Sequence, residues 1–212
     1  KAVRNSPDPF RELKLTSTRY LLGNSAMMAG SLDGLLEVTN HFTVRAAFDL
    51  VPAIGRTNAL TANVHSKGKL ALVEFERALP RAGLYANWRS GMDDEVALAT
   101  LPRAEWDPHR EVLIAEAIPA PESADANASV VPVRYLSYDP KRIVLETDAD
   151  ATTVLLLNDK HHHGWRVTVD GQTAKLLRAN FLMRGVHLPA GKHKVEFRFA
   201  PEEKEAIKKK YA

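Results

Sequence analysis

Three adjacent histidines, His161-His162-His163, offer the most suggestive chemistry in the sequence. Imidazole is the commonest transition-metal ligand in proteins. Adjacent residues of an extended chain point to opposite sides, so the three cannot readily face one ion. No glutamate stands at the spacing of a metallohydrolase helix motif. A polar loop is the plainer reading and no cofactor is expected; His161 and His163 are the candidates for any metal contact. Trp165 follows. An indole face suits the apolar face of a pyranose, which makes Trp165 a candidate sugar platform. Its alternation with Val167 and Val169 favours a core residue between sheets. Asp170 has the carboxylate of an acid catalyst, but its place before Gly171 makes it a turn former.

Other carboxylate pairs are weaker. Asp93-Asp94 reads as a helix cap and Glu202-Glu203 as part of a solvated tail, with nothing to set either up as an acid/base pair. The sequence contains no Ser/His/Asp order, phosphate-binding glycine loop or nucleotide fingerprint. Arg166, Lys175, Arg178, Arg184, His187, Lys194 and Arg198 fall on the polar side of the strand pattern. A basic face of this kind could meet lipid phosphate or an anionic polymer, or be an ordinary solvated strand face. Arg81 and Trp88 are candidates to line a groove between two parts of the chain. The ligand candidates are therefore Trp165, Arg166, Arg184, Arg81 and Trp88, and no catalytic residue is assigned.

These residues sit in a pattern of short strands and tight turns. Trp165 to Val169 alternates with period two. Asp170-Gly171 is a type I′ hairpin signal, because both central residues of that turn need positive φ. The chain returns over Gln172 to Arg178, runs out over Phe181 to Leu188, turns at Pro189 to Lys192 and ends in alternating Val195, Phe197 and Phe199. Upstream, Val130 to Ser137, Arg142 to Thr147 and Thr152 to Leu157 read as strands. Together they predict an antiparallel β-sandwich over 128–200.

The first half predicts a smaller α+β unit, 1–118. Asp8-Pro9 opens a short helix over Phe10 to Leu15, and Asp93-Asp94 opens another that Pro102 stops. Thr16 to Leu22, Glu37 to Leu50, Leu60 to Val64, Leu70 to Glu76 and Glu111 to Ala117 read as strands, with an extended segment from Leu79 to Trp88. Ala26 to Leu36 reads as loop or short helix. The Pro-rich, small and acidic stretch 119–127 is the expected linker, and 201–212 a charged tail that could form a solvated helix. The fold class is thus mainly β.

The totals agree. With 212 residues and 45% apolar content the chain can bury a core without staples, and it has no cysteine to form a disulfide or thiol site. A net charge of +3 without a dense Lys/Arg cluster gives no nucleic-acid partner. No run approaches the roughly 18 apolar residues of a membrane helix. The start at Lys1, with no signal peptide, suggests a fragment or processed product.

The ordered set Gly164-Trp165, Val169-Asp170-Gly171, Asn180, Val186, Leu188-Pro189-Ala190-Gly191 and Val195, Phe197, Phe199, Pro201 resembles the YfhO-like family of bacterial membrane proteins. Leu79-Pro80-Arg81-Ala82 is similar to that family's LPRA element. Two features depart from it: histidines precede Gly164 where the family has aromatics, and the chain stops where the family continues into a membrane helix. The resemblance implies a non-catalytic extracytoplasmic region of a multi-spanning protein grouped with lipid-sugar-dependent glycosyltransferases. The implied partners are the membrane-embedded remainder of the polypeptide and a glycan or anionic polymer acceptor. A free-standing carbohydrate-binding or adhesion module is the alternative.

Overall fold

Alternating apolar and polar residues become strands in the computed structural model, which describes residues 8–28, 41–122, 125 and 127–201. The lead-in before Asp8, most of Ala26 to Leu36, the start of the Glu37 strand and the tail after Pro201 lie outside the described residues. The chain divides into two compact units. One comprises Lys1–Leu15 with Pro80–Ala212, and the other Thr16–Leu79. This division differs from a boundary at 119–127, which falls inside the first unit.

The first unit begins with helix α1 (Arg11–Leu15). Asp8 caps it, its Oδ1 accepting from the Phe10 N–H at 3.0 Å. After residue 80 come β5 (Ala82–Tyr85), β6 (Asn87–Arg89), helix α2 (Asp94–Thr100), β7 (Glu111–Leu113) and β8 (Val131–Pro132). Asp93 is the α2 N-cap and accepts from the Val96 N–H at 2.8 Å. The remaining strands are β9 (Arg134–Asp139), β10 (Arg142–Ala149), β11 (Thr153–Lys160), β12 (Trp165–Val169), β13 (Gln172–Ala174), β14 (Leu177–Ala179), β15 (Met183–Leu188) and β16 (Gly191–Phe199).

Two five-stranded antiparallel sheets form the sandwich, ordered β13-β12-β16-β10-β9 and β14-β15-β11-β5-β8. Their facing sides share one core. Ile143, Leu145, Val167, Val195 and Phe197 from the first sheet meet Leu84, Leu155, Leu157, Val186 and Leu188 from the second. Strand β5 pairs with β11 through Val154↔Tyr85 to Leu157↔Ala82, which is why the sandwich cannot start at 128. The return over Gln172 to Arg178 is not one strand. β13 stays beside β12, and β14 joins β15 in the opposite sheet.

Strand β11 is buried from Thr153 to Asn158 without alternation. Leu155 and Leu157 face the shared core, and Val154 and Leu156 face a second one with Tyr85, Trp88, Val112 and Ile114. A strand covered on both sides reads as a continuous apolar run. The second cover includes a short parallel pair, β6 with β7. Glu111 to Ala117 therefore yields a strand of only three residues. Asp170 (φ 51°) and Gly171 (φ 82°) form the expected β12–β13 turn. Asn180 (φ 44°) and Phe181 (φ 73°) form a second turn that the sequence pattern does not show, so the strand expected from Phe181 begins at Met183.

The second unit contains β1 (Tyr20–Asn24), β2 (Phe42–Pro52), β3 (Leu60–Val64) and β4 (Leu70–Phe75), ordered β1-β4-β2-β3. Ala71, Val73 and Phe75 of β4 point to its buried side, with Phe42 tilted against Phe75 at 5.1 Å.

Candidate functional site

The structure gathers three of the five ligand candidates around one carboxylate that the sequence pattern did not single out. Asp159 lies near the end of β11, just past its buried run. Arg184, on β15, donates from Nη2 to Asp159 Oδ2 at 2.8 Å. Arg81, entering β5, donates to Asp159 Oδ1 from Nε at 3.0 Å and Nη2 at 2.6 Å. The Arg184 guanidinium lies 3.6 Å from the centre of the Trp165 ring and is 2% exposed. Arg81 lies over Tyr138 at 5.0 Å.

The electrostatics follow from this packing. Burial pulls the Arg184 guanidinium below its ordinary value, which Asp159 only partly offsets. For Arg81 burial acts the same way, but the Asp159 carboxylate more than compensates and the net direction is upward. Burial pushes the nearby Tyr135 hydroxyl up to about 12, with the Asp159 charge adding to it. Tyr135 Oη and Arg184 Nε are buried with no hydrogen-bond partner. The arrangement ties the Arg81 segment, β11, β12 and β15 together through one ionic joint. One face of Trp165 is already covered by Arg184, and its edge packs on Phe199 at 5.3 Å.

The other two candidates lie elsewhere. Arg166 sits on the outer side of its sheet, in register with Arg198, which is in turn in register with Arg142. This row is partly neutralised, because Arg142 is bonded to Glu196 at 3.1 and 2.7 Å. The Arg166 guanidinium donates to the His163 and Trp165 carbonyls. Of the basic residues read as one face, Arg184 is internal, and Arg178 is bonded to Asp94 at 2.5 Å.

Trp88 packs into the second core, its ring edge-on to His187 at 5.6 Å and its indole N–H donating to the Pro119 carbonyl at 2.9 Å. It also lines an open cleft of about 560 Å³, with Asn87, Glu105, Asp107, Arg110, Glu111 and Pro121. All of these belong to the first unit. The parallel β6–β7 register sets Asn87 beside Glu111. Arg89 holds Glu111 Oε2 at 2.8 and 2.5 Å, and Asp107 Oδ2 lies 3.4 Å from Arg110 Nε. The Asn87 amide is fixed by the Asp125 backbone, donating at 2.7 Å and accepting at 3.2 Å. The cleft thus combines carboxylate acceptors with a guanidinium and an amide on a rigid base, a set suited to hydroxyl groups. Sequence reasoning missed Glu105, Asp107, Arg110 and Glu111. Trp106-Asp107-Pro108 has the residue types of a turn, but a turn does not mark the charged side chains around it as ligands.

The histidines do not form a ligand set. His162 and His163 stack at 4.1 Å, and the His162 ring packs on Phe199 at 5.6 Å. Burial lowers the His161 pKa, and the Glu116 charge opposes this only in part. Among the described residues no three His, Asp or Glu side chains are placed to hold a metal ion.

Against known proteins, residues 126–203 match a family model described as bacterial membrane protein YfhO. This segment is a YfhO-like region. It runs from β8 through β16 and so takes in all of the first sheet of the sandwich, whereas β5 lies upstream of it. The YfhO-like region contains Asp159, Trp165, Arg166 and Arg184; Arg81 and the lining of the cleft lie before it. The chain is also similar to a chain in the single-particle cryo-EM structure of arabinofuranosyltransferase AftD from Mycobacteria. The identity is 12%, the TM-score is 0.33, and the likeness covers 86% of this chain and 12% of that one. No curated protein matches the chain. Among the described residues no helix is long and apolar enough to cross a membrane.

Proposed function

We propose that this chain is a non-catalytic extracytoplasmic region of a glycosyltransferase-type membrane protein, and that it contacts a glycan acceptor. The observation that carries the reading is the cleft beside Trp88. Its volume, about 560 Å³, is that of a small-ligand site. Glu105, Asp107 and Glu111 accept hydrogen bonds from sugar hydroxyls, Arg110 donates to sugar oxygens, and Trp88 forms part of the wall. The YfhO-like match over 126–203 supports a membrane-protein context. The membrane-embedded remainder of such a protein is the partner this reading requires. Arg81, Arg184 and Trp165 hold the sandwich together and do not touch the sugar.

A glycan array probed with the chain tests the reading. Binding is expected, with Asp107→Ala and Glu105→Ala each weakening it roughly tenfold or more through lost charged hydrogen bonds. Trp165→Ala measures stability instead, because the ring supports Arg184. A chain that retains no glycan, or that binds equally well after both cleft substitutions, overturns the assignment. A free-standing carbohydrate-binding module would show the same cleft dependence. A full-length reading frame with a signal peptide and no membrane spans would favour that alternative.

A further inference from the structure

The edge strand β3 has the sequence Leu60-Thr61-Ala62-Asn63-Val64, apolar and polar in strict alternation. Such a pattern builds one face for burial. All five residues are nevertheless exposed, with Leu60 and Val64 each 65% accessible. The register sets Leu60 opposite Pro52, Ala62 opposite Leu50 and Val64 opposite Phe48. Residues opposite one another share a face, so the apolar side of β3 continues onto β2, where Leu50 is 53% exposed. It continues further, through Leu72, to Leu22 on β1, which is 66% exposed. At the tip of the β2–β3 hairpin Ile54 is completely accessible, followed by Gly55 at φ 74° and Arg56.

A contiguous apolar surface of this kind marks an interaction site. The charge around it indicates the partner. Between His41 and Lys69 the cations are Arg45, Arg56, Lys67 and Lys69 and the one carboxylate is Asp49; Arg45 is ion-paired with Glu74 of β4, so the cations that flank β3 are Arg56 and Lys67. Arg56 precedes β3, and Lys67 lies in the turn after it. Apolar side chains at a tip and along an edge, with cations at both ends, suit the interface of an anionic bilayer. The match of residues 126–203 to a membrane-protein family makes a bilayer an available surface. We propose that the β2–β3 hairpin docks on an anionic lipid surface. Ile54 and Leu60 enter the headgroup boundary, and Arg56 and Lys67 meet lipid phosphates. This contact is separate from the glycan cleft.

The test is flotation of the full 212-residue chain with phosphatidylcholine vesicles, with and without phosphatidylglycerol. The chain is expected to float with the phosphatidylglycerol vesicles. Combining Ile54→Asp with Leu60→Asp should cut the bound fraction roughly tenfold or more, and Arg56→Glu with Lys67→Glu should remove the phosphatidylglycerol dependence. Both apolar side chains are exposed, so the thermal transition should be unchanged. Should the double variant lose that transition, Ile54→Asp alone, at the accessible tip, provides the reading. Failure to float with phosphatidylglycerol vesicles overturns the proposal, as does equal flotation of the tip variant. A dimer in sedimentation velocity that the same substitutions dissociate would assign the face to a second copy of the chain and also overturn it.

Discussion

Asp159 is the residue on which the sandwich's ionic joint depends. Its side chain is 13% exposed, and that of its partner Arg184 is 3% exposed. Removing one member of a buried pair leaves the other charged and without its counter-ion, and this costs more than the pair contributes. Asp159→Ala is therefore expected to destabilise the chain by about 3–5 kcal/mol, read as a lowered urea midpoint. Arg184→Met should cost less, because Asp159 keeps its two bonds to Arg81. Equal midpoints for Asp159→Ala and the parent chain would show that the joint contributes nothing. Arg81, Trp165 and Arg184 were legible in the sequence as residues worth attention. Their role was not, because the carboxylate that unites them sits at the end of an apolar run and carries no motif of its own.

At the scale of elements, turn chemistry was the most readable part of the sequence. Asp170-Gly171 and the Asp93 cap form as their residue types require, since positive φ and an N-terminal acceptor are local demands. Sheet membership was less readable. Gln172 to Arg178 looks like one return strand, yet it divides between opposite sheets, because only distant partners decide which edge each half completes. Close backbone approach was also hidden. A Cβ on Gly68 would lie 2.0 Å from the Phe48 backbone nitrogen, in the turn between β3 and β4. Backbone cannot yield as a flexible side chain can. Gly68→Ala should cost about 3 kcal/mol or more, seen as loss of amide protection in β2 and β3 by hydrogen exchange. Protection equal to that of the parent chain would refute the predicted clash.

For the whole molecule, the decisive feature is that the sandwich draws strands from both sides of the Pro-rich stretch at 119–127. β5 supplies Ala82 and Leu84 to the shared core, and Tyr85, Trp88, Val112 and Ile114 cover the other side of β11. A fragment starting at 128 would lose the β5 partner along one edge of β11 and uncover the side of that strand that packs on Tyr85, Trp88, Val112 and Ile114. Residues 80–201 are therefore expected to unfold cooperatively on heating, and residues 128–201 to show no cooperative transition by circular dichroism. A sharp transition in the shorter fragment would restore the compositional boundary. The family match shares this limit, because it begins at 126 and leaves β5 out.

The sequence by itself determined the mainly β character, the helix starts, the hairpin turns and the YfhO-like resemblance of the final strands. All of these rest on local periodicity, backbone preference or the order of short motifs. Tertiary structure decided which strands share a sheet and where the units divide. It also placed two arginines on Asp159 and opened a cleft beside Trp88. Those outcomes depend on pairings between segments far apart in the chain, such as β5 with β11, where hydrogen bonds and shared burial select a partner that no local pattern specifies.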